Sequence, residues 1–192
     1  MDIKKIVQIV GYVLAKYNGR LNYTKLIKIL YLADREAMKA SGYPITGDNY
    51  VSMSNGVVLS GIYNLIKDDY SNKTAQNLWD SRFTTDGFDL VMICNAMPTG
   101  LLSDFEIRTL DAIDEKFHNQ KFGKLIDYIH NPKNCPEWEQ TDSSIPLDKS
   151  RIYSVLGYSD EEIQSLAEEE RFYAAEKVMI DSLKEPTAVR HG

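Results

Sequence analysis

Two cysteines and two of the three histidines have side chains that could act as metal ligands or catalytic groups. A zinc site or a cysteine nucleophile beside His130 could be assembled from Cys94, Cys135, His118 and His130. None of the four is paired at the short spacing that structural zinc sites use. Because an intracellular cysteine is more often buried and inert, we expect no metal site and no catalytic cysteine.

Sequence motifs of the common enzyme classes are missing from the chain. It contains no glycine-rich phosphate-binding loop, no Gly-x-Ser-x-Gly and no His-Glu-x-x-His. We therefore expect a protein that is not an enzyme and needs no cofactor. His130 and Trp138 are expected to hold a helix and the loop after it together.

Basic residues recur at the helical period in the first fifth of the chain. They are Lys25, Lys28, Arg35 and Lys39. A solvent-exposed helix face is the ordinary interpretation of such an arc. A DNA-binding regulator is an alternative, because phosphate binding needs clustered basic residues, and the cluster extends to Lys4, Lys5 and Arg20. No recognition-helix pattern accompanies the cluster, so nucleic acid is not the expected partner.

The basic arc belongs to a stretch, residues 22–40, that we expect to be the central helix of the fold. Two apolar strips run along it, formed by Leu26, Ile29, Leu30, Ala33 and Ala37 and by Ile27, Tyr31 and Met38. More than half of the helix circumference is apolar, which predicts neighbours on two sides. Leu30 is expected to be buried. Asp34 lies near the boundary of the strips, where it needs an arginine or backbone donors as partner.

Turn and cap signals divide the rest of the chain. An amphipathic helix is predicted over residues 3–14, ended by Asn18-Gly19. The Asp86-Gly87 pair predicts one small hairpin, with strands at residues 79–83 and 88–93. Ser103 to Glu106 is typical of a capping box that opens a helix through about residue 118. A charged last helix is predicted over residues 160–184.

These elements predict a mainly α (α+β) fold, a compact helical domain around a central helix with one small β-hairpin. We expect residues 1–156 to form the main domain, residues 157–185 an acidic C-terminal helix of the same globular unit, and residues 186–192 a disordered tail. A chain of 192 residues can bury a sizeable core.

Charge and hydropathy limit the possible surroundings of the protein. The net charge is -6, but residues 1–40 carry eight Lys and Arg against three Asp and Glu, which leaves -11 for the remainder. The N-terminal region lacks an apolar signal segment, and no later run has the length of a membrane span. We therefore expect a cytoplasmic protein without a membrane partner.

Four stretches, in order, carry a resemblance to a known family. Residues 25–34 (KLIKILYLAD) resemble the Lys-Leu-x-Lys-Leu-Leu-Tyr helix of the Panacea domain family, the SocA-like antitoxins often found among phage-associated proteins. Residues 42–45 (GYPI) are similar to its Gly-x-Pro-Leu turn. Residues 56–58 (GVV) resemble its Gly-Pro-Val turn, although Val57 replaces the proline. Residues 102–117, followed by Leu125, His130 and Trp138, resemble its closing helices.

The resemblance covers residues 5–156 and implies a function. It implies a bacterial or phage antitoxin that neutralises a cognate protein toxin, encoded next door, by binding it directly and without catalysis. Some members act instead as adaptors that deliver their toxin to a cytosolic protease. The protease adaptor therefore stands beside the DNA-binding regulator as an alternative.

Two regions could form the toxin-binding surface, because aromatic and arginine side chains gain most from desolvation at an interface. The favoured region is the basic edge of the central helix with the loop that follows, formed by Lys28, Tyr31, Arg35, Lys39, Tyr43 and Tyr50. The other region is the acidic last helix with Phe172 and Tyr173. We expect Arg35 and Lys39 to lie on a solvated arc.

Overall fold

A helix of 19 residues, α2 (Tyr23–Ser41), is the element around which the others pack. The computed structural model describes the backbone of residues 1–184 and the side chains of residues 1–176 and 178–180. Asn22 caps α2 by accepting the backbone N–H groups of Thr24 and Lys25 at 3.1 and 3.2 Å. Gly42, with a φ of +83°, ends it in the left-handed conformation that glycine adopts without strain. The predicted central helix is confirmed to within one residue at each end.

Seven further helices and six short strands complete the described part of the chain. The helices are α1 (Ile3–Ala15), α3 (Ser60–Ile66), α4 (Lys73–Asp80), α5 (Asp104–Phe117), α6 (Phe122–His130), α7 (Lys149–Leu156) and α8 (Asp160–Lys184). The strands are β1 (Arg20–Asn22), β2 (Tyr50–Met53), β3 (Gly56–Leu59), β4 (Phe83–Asp86), β5 (Asp89–Met92) and β6 (Ile145–Leu147). The fold is mixed α+β and mainly helical.

The core surrounds α2 more completely than its apolar pattern indicates. α2 contacts α3, α5, α6 and α7 as well as β1 and β3. Leu30 has no exposed surface, as predicted, and the charged residues Lys25, Lys28 and Asp34 of the same helix are also buried. Polar contacts must therefore compensate charges inside the fold, because an unpaired buried charge is costly.

The predicted hairpin exists, with a different turn. β5 lies between β1 and β4 in an antiparallel sheet, and Asp86 pairs with Asp89. The loop is therefore Gly87 and Phe88, and the positive φ of Gly87 at the first loop position suits a type II′ turn. Trp79, predicted to be in a strand, lies in α4, where it is buried against Phe83 with ring centroids 4.6 Å apart.

A second sheet, of order β3-β2-β6, corrects the prediction of a single hairpin. β2 and β3 form a hairpin closed at Ser54 and Asn55, and β6 pairs with β2 from more than 90 residues further along the chain. Trp138, in the loop before β6, donates its indole N–H to the carbonyl oxygen of Met53 at 3.1 Å. This loop therefore covers the end of the β2–β3 hairpin.

Several predicted helix boundaries are confirmed. Ser103 and Glu106 form the capping box of α5. Ser159 and Glu162 exchange two hydrogen bonds of 2.8 and 3.2 Å at the start of α8. No helix of the described residues is both long and apolar enough to cross a membrane. The predicted disordered tail, residues 186–192, lies outside the described residues.

Candidate partner-docking surface

Tyr31 and Arg35, two predicted contact residues, instead bind the buried carboxylate of Glu137. Arg35 donates its Nε–H to Oε1 of Glu137 at 2.7 Å, and the Tyr31 hydroxyl donates to the same oxygen. Neither Tyr31 nor Glu137 has exposed surface, and burial raises the pKa of Tyr31 well above its usual value. The expectation that Arg35 lies on a solvated arc is wrong, because the loop carrying Glu137 folds over this part of α2.

Tyr50 is also buried, in a polar cluster around Asp34. The Asp34 carboxylate accepts hydrogen bonds from the Thr46 N–H at 2.8 Å, the Tyr50 hydroxyl at 2.9 Å and the Thr46 hydroxyl. Burial raises the pKa of Asp34 to about 6, and these hydrogen bonds oppose the rise. Asp34 therefore has the backbone donor that its position on α2 requires. Its cluster fixes the loop after α2, and Tyr50 does not face solvent.

Lys28 lies under the β2–β3 hairpin and not on the surface. Its ammonium donates to the carbonyl oxygen of Val57 at 2.7 Å, and burial lowers the pKa of Lys28 to about 7. Lys25 is buried too and donates to the carbonyl oxygen of His118 at 2.6 Å. The predicted basic arc is therefore not a continuous surface feature, and of its four residues Lys39 alone is exposed.

The buried Lys28 predicts a pH dependence of stability. An unfolded chain holds the Lys28 proton up to about pH 10.5, whereas the folded chain releases it near pH 7, so the penalty of burying the ammonium disappears as pH rises through this range. Between pH 7 and 9.5 the free energy of unfolding of the wild type should increase by about 3 kcal/mol relative to Lys28→Met. Urea denaturation of both proteins across this range checks it. Parallel curves would contradict the burial of a titrating amine.

Lys5 and Arg20, two of the three basic residues that extend the cluster toward the N-terminus, are paired as well. Lys5 contacts Glu106 at 2.5 Å. Arg20 bridges Asp86 and Asp89, each at 2.8 Å. Apart from Lys4 and Lys39, which are exposed, the basic residues that favoured a DNA-binding regulator are thus divided among separate intramolecular contacts.

The cysteines and histidines do not converge. Cys135 is buried, and burial raises the pKa of its thiol to about 12, while Cys94 is half-buried elsewhere. His130 stacks on Trp138 with ring centroids 3.8 Å apart, so the predicted link between helix and loop is confirmed. His118 binds Asp114 through Nδ1 at 3.0 Å. Among the described residues no group of three or more His, Cys, Asp or Glu side chains could hold a metal ion.

Aromatic side chains are exposed on α8 and on the loop beside it. Phe172 and Tyr173 are 67% and 60% exposed, and their ring centroids lie 6.0 Å apart. Tyr43 is 45% exposed and donates its hydroxyl to Glu169 of α8, a hydrogen bond that raises the pKa of Tyr43 to about 12. The structure therefore separates Tyr43 from the rest of the favoured region and joins it to the other one.

A groove lies on another side of α8. It has a volume of about 920 Å³ and runs between α8 and the strand β6. Ala167, Glu170 and Ala174 line it from α8, and Pro146 and Leu147 line it from β6. Lys149 bridges to Glu170 at 2.5 Å across one part of the groove. Phe172 and Tyr173 do not line this groove, although their neighbours Arg171 and Ala174 do.

Of the eight predicted contact residues, four remain available to a partner. Lys28, Tyr31, Arg35 and Tyr50 are taken up by internal contacts, whereas Lys39, Tyr43, Phe172 and Tyr173 are exposed. The prediction missed Glu137, which binds two of the four internal residues. Its loop position, outside any periodic pattern, gave no signal of burial.

The fold and this surface define a mainly helical α+β domain that presents an aromatic, acidic helix to solvent. A family model described as "Antitoxin SocA-like, Panacea domain" matches residues 26–139, which is more than half of the chain. The chain belongs to this family, as its sequence stretches predict. No curated protein and no solved structure matches it.

Proposed function

We propose that this chain is an antitoxin that neutralises a cognate protein toxin by binding it directly, without catalysis. The observation that carries the proposal is membership of the SocA-like antitoxin family over residues 26–139. The exposed aromatic side chains on α8 support it, because a protein that acts by binding needs an accessible surface rich in such groups.

Direct binding is the mechanism that the geometry favours. α8 and the groove beside it offer an extended surface, which suits a protein partner better than a small molecule. Cys135 is buried, His130 stacks on Trp138 and His118 hydrogen-bonds Asp114, so these residues have structural contacts of their own. Delivery of the toxin to a protease stays an alternative, because it also begins with binding.

Co-expression tests the proposal. Each reading frame next to this gene is expressed from an inducible promoter, alone and together with the chain. We expect one neighbour to stop growth alone and growth to recover by at least ten-fold in colony count when the chain is present. The Leu30→Asp variant, which should not fold, is the negative control. A toxic neighbour that the wild-type chain leaves fully toxic would contradict the proposal.

A further inference from the structure

The described side chains in the C-terminal half of α8 are exposed to solvent, and the contacts within the fold do not explain why this half is helical. The helix has 25 residues, about 37 Å at 1.5 Å per residue. Ile163 and Leu166 pack on the core, but from Glu168 to Ile180 every described side chain is exposed. A helix without a covered face is marginal in water, since tertiary packing supplies most helix stability. This half of α8 is therefore suited to packing against a binding partner.

The N-terminal part of α8 packs against the rest of the fold, and these contacts fix the position of its exposed half. Leu166 packs closely against Gly42: a Cβ atom added to Gly42 would lie only 3.1 Å from Cδ2 of Leu166. Tyr153 and Tyr158 donate their hydroxyls to the carbonyl oxygens of Gly42 and Met38, each at 2.7 Å. These contacts tie α7 and the start of α8 to the C-terminal end of α2. A site held by a rigid support binds with less loss of entropy.

The composition of the exposed half points to the kind of partner. Phe172 and Tyr173 form an aromatic pair beside Tyr43, and such residues are the ones that most often dominate binding energy. Residues 160–184 contain eight acidic and three basic residues. Glu170 is paired with Lys149, but Glu168 and Glu176 have no ionic partner among the described residues. The aromatic centre thus lies on a helix with a net charge of -5.

We propose that Phe172, Tyr173 and Tyr43 form the docking surface for the toxin, and that the toxin presents an apolar recess within a basic surface. This inference rests on the proposed function and adds the site and the chemistry of the partner. Opposite charges steer encounter, while the aromatic pair supplies the affinity once water is excluded. A second copy of the chain fits less well, because both helices would carry the same excess of negative charge.

Binding of the purified toxic neighbour, measured by biolayer interferometry, tests the site. Phe172→Ala/Tyr173→Ala should weaken the equilibrium affinity at least about 30-fold, or ~2 kcal/mol. The matched control is Phe88→Ala, which truncates an aromatic residue that is 72% exposed at the tip of the β4–β5 hairpin. It should leave affinity within two-fold. Circular dichroism and melting temperature establish that each variant is folded.

Charge reversal tests the chemistry of the partner. Glu168→Lys/Glu176→Lys should slow association about ten-fold at 50 mM salt and much less at 500 mM, because screening removes steering. The control Glu36→Lys/Glu115→Lys reverses two exposed carboxylates on α2 and α5 and should change the rate less.

The outcomes separate this inference from the proposed function. Toxin binding by the wild type that Phe172→Ala/Tyr173→Ala leaves within two-fold would overturn the docking surface and leave the antitoxin function standing. A wild-type dimer that the same variant dissolves, with toxin binding unchanged, would assign the surface to a second copy. Failure of the wild type to bind the toxic neighbour would overturn direct binding itself and the docking surface with it.

Discussion

Replacement of Leu30 by aspartate is expected to unfold the protein. Leu30 has no exposed surface and lies in the middle of α2, the helix against which α3, α5, α6, α7, β1 and β3 pack. A carboxylate at this position would be buried without a partner, in addition to the loss of apolar contacts, and the combined cost should exceed about 5 kcal/mol. That is comparable with the whole stability of a typical domain.

Circular dichroism and thermal melting of Leu30→Asp check this expectation. The matched control is Lys39→Asp, which places the same side chain on an exposed position of the same helix. Because an acidic group in the last turn opposes the helix dipole, this substitution should cost about 1 kcal/mol, far less than Leu30→Asp. A soluble Leu30→Asp protein with a native spectrum and a cooperative melt would contradict the central position of α2 in the fold.

Removal of the Glu137 carboxylate should have the next largest effect. Glu137→Ala would leave the guanidinium of Arg35 and the hydroxyl of Tyr31 without their shared acceptor in a buried site. Breaking one side of a buried ion pair costs about 3–5 kcal/mol, because the remaining charge stays desolvated. Urea denaturation measures the loss in free energy of unfolding.

A double-mutant cycle separates the ion pair from simple loss of packing. Glu137→Ala/Arg35→Ala removes both charges, so its cost should be smaller than the sum of the two single variants by at least about 1 kcal/mol. Additive effects would mean that Arg35 and Glu137 do not depend on each other, contrary to their 2.7 Å contact.

Periodicity predicted which helix is central but not how fully it is covered. The spacing of Leu26, Ile29 and Leu30 indicates an apolar face, and those three residues are buried. The same spacing places Lys28 on a polar arc, yet its aliphatic stem and its single carbonyl acceptor allow it to be buried as well. Coverage of the polar side comes from β3 and from the Glu137 loop, which contact α2 from distant parts of the chain.

Local signals predicted helix ends better than strand pairing. Ser103 acts through a hydrogen bond to Glu106, three residues away, so the sequence alone identifies this cap. Asn22 and Ser159 cap α2 and α8 through contacts of the same short range. β1 and β6 have three residues each, and their partners lie far away in sequence. Pro146 within β6 also argues against a strand by composition, since proline lacks the N–H of a ladder. The third strand of the second sheet, β6, therefore had no local signature, whereas the β2–β3 hairpin closes locally at Ser54 and Asn55.

The candidate site was partly predictable for a similar reason. Phe172 and Tyr173 stand in a strongly acidic stretch, and that neighbourhood alone indicates aromatic residues on the surface. Tyr31 stands in an apolar context and Tyr50 in a mostly polar one, yet both are buried and both hydroxyls donate to internal carboxylates. Residue type alone does not separate an interface tyrosine from a buried hydrogen-bonded one.

Neutralisation by direct binding is tested most directly by a calorimetric titration of the purified toxic neighbour with the purified chain, in the absence of any protease or nucleotide. Direct neutralisation predicts a saturable complex of fixed stoichiometry, whose mass is confirmed by light scattering. No heat and no complex, in a system where co-expression still restores growth, would contradict neutralisation by direct binding.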